Sequence, residues 1–204
     1  MVTVTVYVEG GGQSKALKTK CRAGFRKFFE KAKLVGQMPS VVACGGRDSA
    51  VKDFRNALRR LKSGEVALLL VDSEGPVQEG ITPWQHLKSR DKWDRPDGAQ
   101  EDQAHLMVQC METWFLADVS ALEEYFGSGF RSSAIPQRND IENISTSDVL
   151  RRLKAASSGS RKREYHKGNH SFDILARIDP ECVLQRSPRA KRLIDTLKSH
   201  LIPA

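Results

Sequence analysis

Three observations predict an α/β fold built on a mainly parallel sheet. Strand and helix signals alternate as β-α-β-α-β within the first 71 residues, the order that generates βαβ units. The third strand signal, Val66-Ala67-Leu68-Leu69-Leu70-Val71, is apolar without a break, as a strand covered by helices on both faces must be. The chain has 204 residues, 39% hydrophobic and 28% charged, which is a globular balance with enough length to bury a substantial core.

The elements follow in order. Val2 to Val8 alternates valine with threonine or tyrosine and reads as a strand, closed by Glu9-Gly10-Gly11-Gly12. Leu17, Cys21, Phe25, Phe28 and Ala32 recur at steps of three and four, which predicts a long helix with lysines and arginines on its other side. Ser40 to Cys44 reads as a short strand, and Gly45-Gly46-Arg47 turns the chain into a second helix. Asp48 or Ser49 is the expected cap of that helix, with Val51, Phe54, Leu58 and Leu61 as its buried stripe. Residues 75–103 hold Gly75, Pro76, Gly80, Pro83, Pro96 and Gly98 and predict a long loop. Its Trp84, His86 and Trp93 suit either stacking on bases or pinning a flap to the core. Ala104 to Cys110 is expected to be a fourth strand and Glu112 to Phe126 an amphipathic helix. Helical patterns return at 146–156, 170–178 and 188–201. The expected division is a core over residues 1–126 and a helical, basic extension over 127–204, packed together as one globular unit.

Several classes are excluded by composition. No apolar run approaches the roughly 20 residues of a membrane helix, and Met1-Val2-Thr3-Val4-Thr5-Val6 lacks the basic and apolar regions of a signal peptide. Cys21, Cys44, Cys110 and Cys182 form no CxxC pair, which argues against a disulfide scaffold or a cysteine zinc finger and for a reduced, cytoplasmic protein. His166 and His170 are four apart, but no HExxH glutamate or third ligand accompanies them. The net charge is +8, and residues 1–150 are balanced, so the whole excess lies in residues 151–204. Within the balanced part, Lys15 to Lys33 is strongly basic and Asp72 to Glu124 strongly acidic. An acidic middle between two basic segments suits a metal site beside a polyanion track, or else a solvated helix face and a basic tail.

Candidate chemistry gathers at the strand ends, because open parallel sheets bind ligands beyond the carboxyl ends of their strands. Glu9 follows the first strand, and Asp72 and Glu74 follow the third. If those strands are neighbours, three carboxylates converge with no lysine or arginine near them in sequence. Like charges held together call for a cation, and Mg2+ or Mn2+ accepts such oxygen ligands. Gly10 and Gly11 let the backbone turn and approach a ligand. Gly46 and Arg47, at the start of the second helix, are a plausible phosphate contact. The glycines match neither GxGxxG nor a GK[ST] phosphate loop.

At this point the chain resembles a known family. Val6-Tyr7-Val8-Glu9-Gly10-Gly11-Gly12, Ala43-Cys44-Gly45-Gly46-Arg47 and Leu69-Leu70-Val71-Asp72-Ser73-Glu74 look like the Toprim domain of topoisomerases, bacterial primases and OLD-type nucleases. The stretch from Gln109 to Asp118, with its Glu112-Thr113-Trp114, and Tyr165-His166-Lys167 bring it closer to a Toprim-related bacterial family of unknown function, often encoded beside an AAA-type ATPase. The resemblance implies Glu9 as the acid/base carboxylate and Asp72 and Glu74 as metal ligands, with glutamate standing where the pattern has a second aspartate. Glu112, at a helix start, suits the helix dipole, while the resemblance implies a metal or supporting role for it; Lys167, in the basic stretch Arg161 to Lys167, suits either neutralising a scissile phosphate or standing as a solvated loop lysine. Asp118 is expected to cap or pair. The expected activity is magnesium-dependent nuclease action on DNA or RNA, as effector of an ATPase-linked antiviral defence. A non-catalytic nucleic-acid-binding or regulatory subunit with the same fold is the alternative. The expected partners are nucleic acid, an AAA-type ATPase and a second copy in a homodimer, with no membrane.

Overall fold

The computed structural model describes residues 2–34 and 38–202. Its centre is a four-stranded, all-parallel sheet in the order β2-β1-β3-β4, flanked by helices as the α/β reading expects. The strands are β1 (Thr3–Gly11), β2 (Ser40–Gly45), β3 (Glu65–Asp72) and β4 (Ala104–Met107). The helices are α1 (Lys15–Lys31), α2 (Arg47–Leu58), α3 (Pro83–Asp91), α4 (Val119–Phe126), α5 (Thr146–Ser157), α6 (Lys167–Leu175), α7 (Pro180–Arg186) and α8 (Pro188–Leu201).

The two-residue period of the strands separates two cores. Val4, Val6 and Val8 of β1 and Leu68 and Leu70 of β3 face α1 and the helices of the carboxyl-terminal part. Ala67, Leu69 and Val71 face α2 and α3 on the other side, with Phe54, Trp84 and Leu87. Every residue of β3 beyond Val66 is therefore buried, which is why its sequence does not alternate. The first of these cores runs without interruption from Val4 to Leu201, so residues 127–204 pack on the sheet rather than form a core of their own.

The chain leaves β1 through α1 toward β2, and leaves β3 in the opposite direction toward β4. The order thus switches between the neighbouring strands β1 and β3, where parallel α/β sheets open a crevice at their carboxyl ends.

Several local expectations need correction. Glu9 lies inside β1 and Asp72 is the last residue of β3, because the strands run further than the apolar pattern. Residues 9–11 of β1 all register with Gly45, an irregularity that the glycines absorb. Gly11 has φ +86°, and a Cβ there would lie 2.7 Å from the Lys18 backbone. The cap of α2 is Gly46, not Asp48 or Ser49. The segment 75–103 is no structureless loop: Thr82 and Gln85 form a capping box that starts α3. Trp84 is buried against Phe54 and donates from its indole to the Gln100 carbonyl, so it is not free to stack on a base. The fourth strand ends at Met107, and the helix expected over 112–126 is split. A 3-10 helix, Met111–Ala117, gives way to α4 at Asp118, whose carboxylate caps Ala121 as expected. α7 lies outside the helical patterns of the sequence, although Asp179-Pro180 is a helix-start signal.

Candidate active site

Glu9, Asp72 and Glu74 do converge, and the parallel pairing of β1 with β3 is what joins them. One carboxylate oxygen from each lies within 4.8 Å of the others. Asp72 is buried, Glu9 half-buried and Glu74 exposed. Asp72 and Glu9 also touch through the backbone, since the Asp72 N–H donates to Glu9 Oε2 at 3.2 Å. Ser73 N–H donates to the Met107 carbonyl at 2.9 Å and Glu74 N–H to the Gln109 carbonyl at 2.8 Å, which ties the turn after β3 to the end of β4. Glu74 takes the left-handed conformation at φ +59°, uncommon for a residue with a side chain and frequent at functional turns.

Two cations that are remote in sequence meet these carboxylates, which corrects the expectation of a site without basic partners. Arg47, on the first turn of α2, donates to Glu9 Oε2 at 3.3 Å and to the Asp72 carbonyl. Asp91, the last residue of α3, holds the same guanidinium through two bonds of 3.0 and 2.6 Å, and the Trp93 ring lies 5.0 Å from its centre. Arg47 is thus a clamp on Glu9, already paired, rather than a free phosphate contact. Lys167, the first residue of α6, brings its ammonium to 3.8 Å from Asp72 Oδ2 and 3.3 Å from Glu112 Oε2.

Glu112 is fully buried in the 3-10 helix after β4. Its Oε1 accepts from the Tyr165 hydroxyl at 3.1 Å. Tyr165 and Lys167 therefore both serve this one carboxylate, which the sequence spacing of 53 residues conceals. Asp72 Oδ1 accepts from the Met111 N–H at 2.8 Å. His166 and His170 form no metal pair; the His166 N–H donates to His170 Nδ1.

The electrostatics match a site short of positive charge. Burial pushes the Asp72 carboxyl well above its ordinary value; Lys167 opposes the shift, and Glu112 and Glu9 add to it. Burial likewise raises Glu9, against Arg47 and the Asp72 N–H. Lys167 is desolvated, yet Glu112 and Asp72 outweigh that and hold it firmly protonated. Three oxygen donors at adjoining strand ends, two of them uneasy as anions, fit a hard divalent cation such as Mg2+ or Mn2+.

Beside the carboxylates lies a cleft of about 270 Å³. Gly10 to Gly12 and Gly45 form its rim, and Lys167 with Asp72 and Glu9 its polar wall. Leu17, Met111 and Phe172 give it an apolar floor. Gly45 has φ +91°, and a Cβ there would meet the Gly12 carbonyl at 2.5 Å, so glycine is required for the two turns to close together. Gly46 caps α2 just outside this rim.

Of the residues singled out from sequence, Glu9, Asp72, Glu74, Glu112, Lys167, Arg47 and Gly10–Gly11 all fall in one neighbourhood. Asp91 is a site residue that the sequence pattern does not single out, and Trp93, expected to stack on bases or pin a flap, lies against the Arg47 guanidinium. The signal available was the helix start Thr82-Pro83-Trp84-Gln85, which places Asp91 at a helix end.

A family model described as a domain of unknown function, DUF4276, matches residues 8–198. No curated protein and no solved structure matches the chain. Among the described residues, no helix is long and apolar enough to cross a membrane.

Proposed function

The chain belongs to the DUF4276 family, and from its strand-end chemistry we propose that it is a Toprim-type, metal-dependent phosphodiester hydrolase acting on DNA or RNA. The observation that carries this reading is the convergence of Glu9, Asp72 and Glu74 within 4.8 Å at the switch point of a parallel sheet. A divalent cation held by these three would supply Lewis-acid polarisation of a phosphoryl oxygen and neutralisation of its charge.

The chain's own residues supply the rest. Glu9 is the general base: its Oε2 is engaged by Arg47 and the Asp72 N–H, which fixes the carboxylate plane and leaves Oε1 to take a proton from water. Asp72 is a ligand whose second oxygen is braced by the Met111 N–H. Lys167 sets positive charge in the cleft wall beside the phosphate position. Glu112 and Tyr165 hold Lys167 there. A nucleic acid enters along exposed basic surface, since Lys20, Arg22, Arg26 and Lys27 of α1 and Arg161 to Arg163 beside α6 all face solvent. Nucleic acid as substrate, an ATPase partner and a defence role rest on the Toprim resemblance together with this charge distribution.

The test is Mg2+- and Mn2+-dependent cleavage of a panel of DNA and RNA, with wild type and Glu9→Gln compared. Gln keeps the shape and removes the basicity, so turnover should fall about 100-fold or more while nucleic-acid affinity stays. Metal binding without turnover on any substrate, with the ATPase present, would favour the non-catalytic binding subunit.

A further inference from the structure

Asp72 and Glu112 are two buried carboxylates that each have one oxygen tied to a protein donor and one oxygen left over. Asp72 Oδ1 is taken by the Met111 N–H, and Glu112 Oε1 by the Tyr165 hydroxyl. The remaining oxygens, Asp72 Oδ2 and Glu112 Oε2, face the same ammonium, at 3.8 and 3.3 Å. Glu112 Oε2 lies fully out of solvent and makes no hydrogen bond of its own, so Lys167 is its sole source of positive charge among the described residues.

This is the place a second cation would need. In two-ion phosphoryl-transfer sites the metals stand about 3.5–4 Å apart and share a carboxylate. Here the shared ligand would be Asp72 and the outer ligand Glu112, the pair that Lys167 bridges. The geometry points to Lys167 as a built-in cation that takes the position of a second metal, so that the centre binds one divalent ion per chain. This deepens the metal-dependent reading above and rests on it.

The physical reasons are direct. A protonated ammonium and a divalent ion compete for the same two oxygens, and at such separations in a half-buried cleft their mutual repulsion is strong. The ammonium meets both oxygens directly, at 3.8 and 3.3 Å, so an ion entering there would have to displace it. Its stem runs along the cleft wall, where the side chain is 60% exposed, and only its tip turns in. Lysine reaches the two oxygens as a point charge, which is what replaces an ion. The helix start at Lys167 is set by the packing of α6 on α1, where Gly24 lets the Phe172 backbone approach closely.

The experiment is Mn2+ titration of the full chain, with bound metal counted by the loss of the free-ion EPR signal and ion pairing read from the low-temperature spectrum. Wild type should bind one equivalent with no spin-coupled signal. Lys167→Ala, and Lys167→Met as a variant that keeps the stem, should bind a second equivalent and develop coupling. Adding Glu112→Gln to either should remove that second equivalent. Two coupled ions in wild type would overturn the inference and leave the metal-dependent reading standing. No bound ion in wild type would overturn both, so the two failures are told apart by the count. Should neither Lys167 variant fold, Lys167→Gln, which keeps most of the length and a polar tip but not the charge, is counted in their place. One equivalent in folded Lys167 variants would show that the ammonium is not what excludes the second ion.

Discussion

At the residue scale the burial of Asp72 beside Glu9 and Glu112 is costly. Asp72 is raised by burial, so the folded state prefers it protonated. A raised carboxyl contributes stability below its ordinary value of 3.8 and loses it as pH climbs through the higher folded value. At pH 8 the metal-free protein therefore lacks that contribution, whereas an asparagine would not titrate. Asp72→Asn should melt higher than wild type at pH 8 without metal, and the difference should shrink as pH falls toward 4. Magnesium should then raise the melting temperature of wild type, since only the native state offers the ligands, and leave the variant unmoved. Scanning calorimetry across pH, with and without metal, checks both signs. A variant that melts lower at pH 8 would mean that the Lys167 ion pair outweighs desolvation.

At the scale of elements, α3 links the hydrophobic core to the site. Trp84 anchors its start against Phe54, and Asp91 at its end grips Arg47. The tryptophan that sequence offers as a stacking platform is instead 4% exposed, which assigns it to packing. Trp84→Ala should cost about 3–5 kcal/mol in urea unfolding, as buried Trp truncations do, with nucleic-acid affinity preserved at temperatures where the variant is folded. A variant as stable as wild type that loses binding would reverse the assignment. The break between Ala117 and Val119 has the same lesson. The apolar period over 112–126 is helical, but Asp118 bonds the Ala121 N–H and also the Asp179 N–H, and that tertiary tie ends one helix and starts another.

At the scale of the molecule, α6 packs on α1, with Lys20 3.7 Å from Asp173, so basic segments that are separate in sequence sit on neighbouring parts of the fold. Arg161, Lys162 and Arg163 are exposed, and none is part of the core. Replacing all three by alanine should flatten the plot of log affinity against log salt by roughly 1–3 units, at about 0.9 per phosphate contact. Fluorescence anisotropy over a salt series measures it, and an unchanged slope would assign the patch to a protein partner or to solubility.

The β-α-β-α-β order of the first 72 residues, the parallel sheet and the three acidic positions were legible because they rest on local signals. An unbroken apolar run marks a doubly covered strand, and a carboxylate at a strand end needs only the strand to be placed. Even Lys167 and Glu112 could be named, through the motifs they sit in. What sequence alone determined is thus which residue types stand at which ends of which elements. The tertiary structure decided what surrounds them. Arg47 and Asp91 are 44 residues apart and Glu112 and Tyr165 are 53 apart, and no period or spacing encodes such pairs. The supposed lone carboxylates acquired an arginine clamp and a lysine bridge for that reason. Ion pairing depends on distance through space, and distance through space is set only when sheet order and helix packing bring remote turns to one edge.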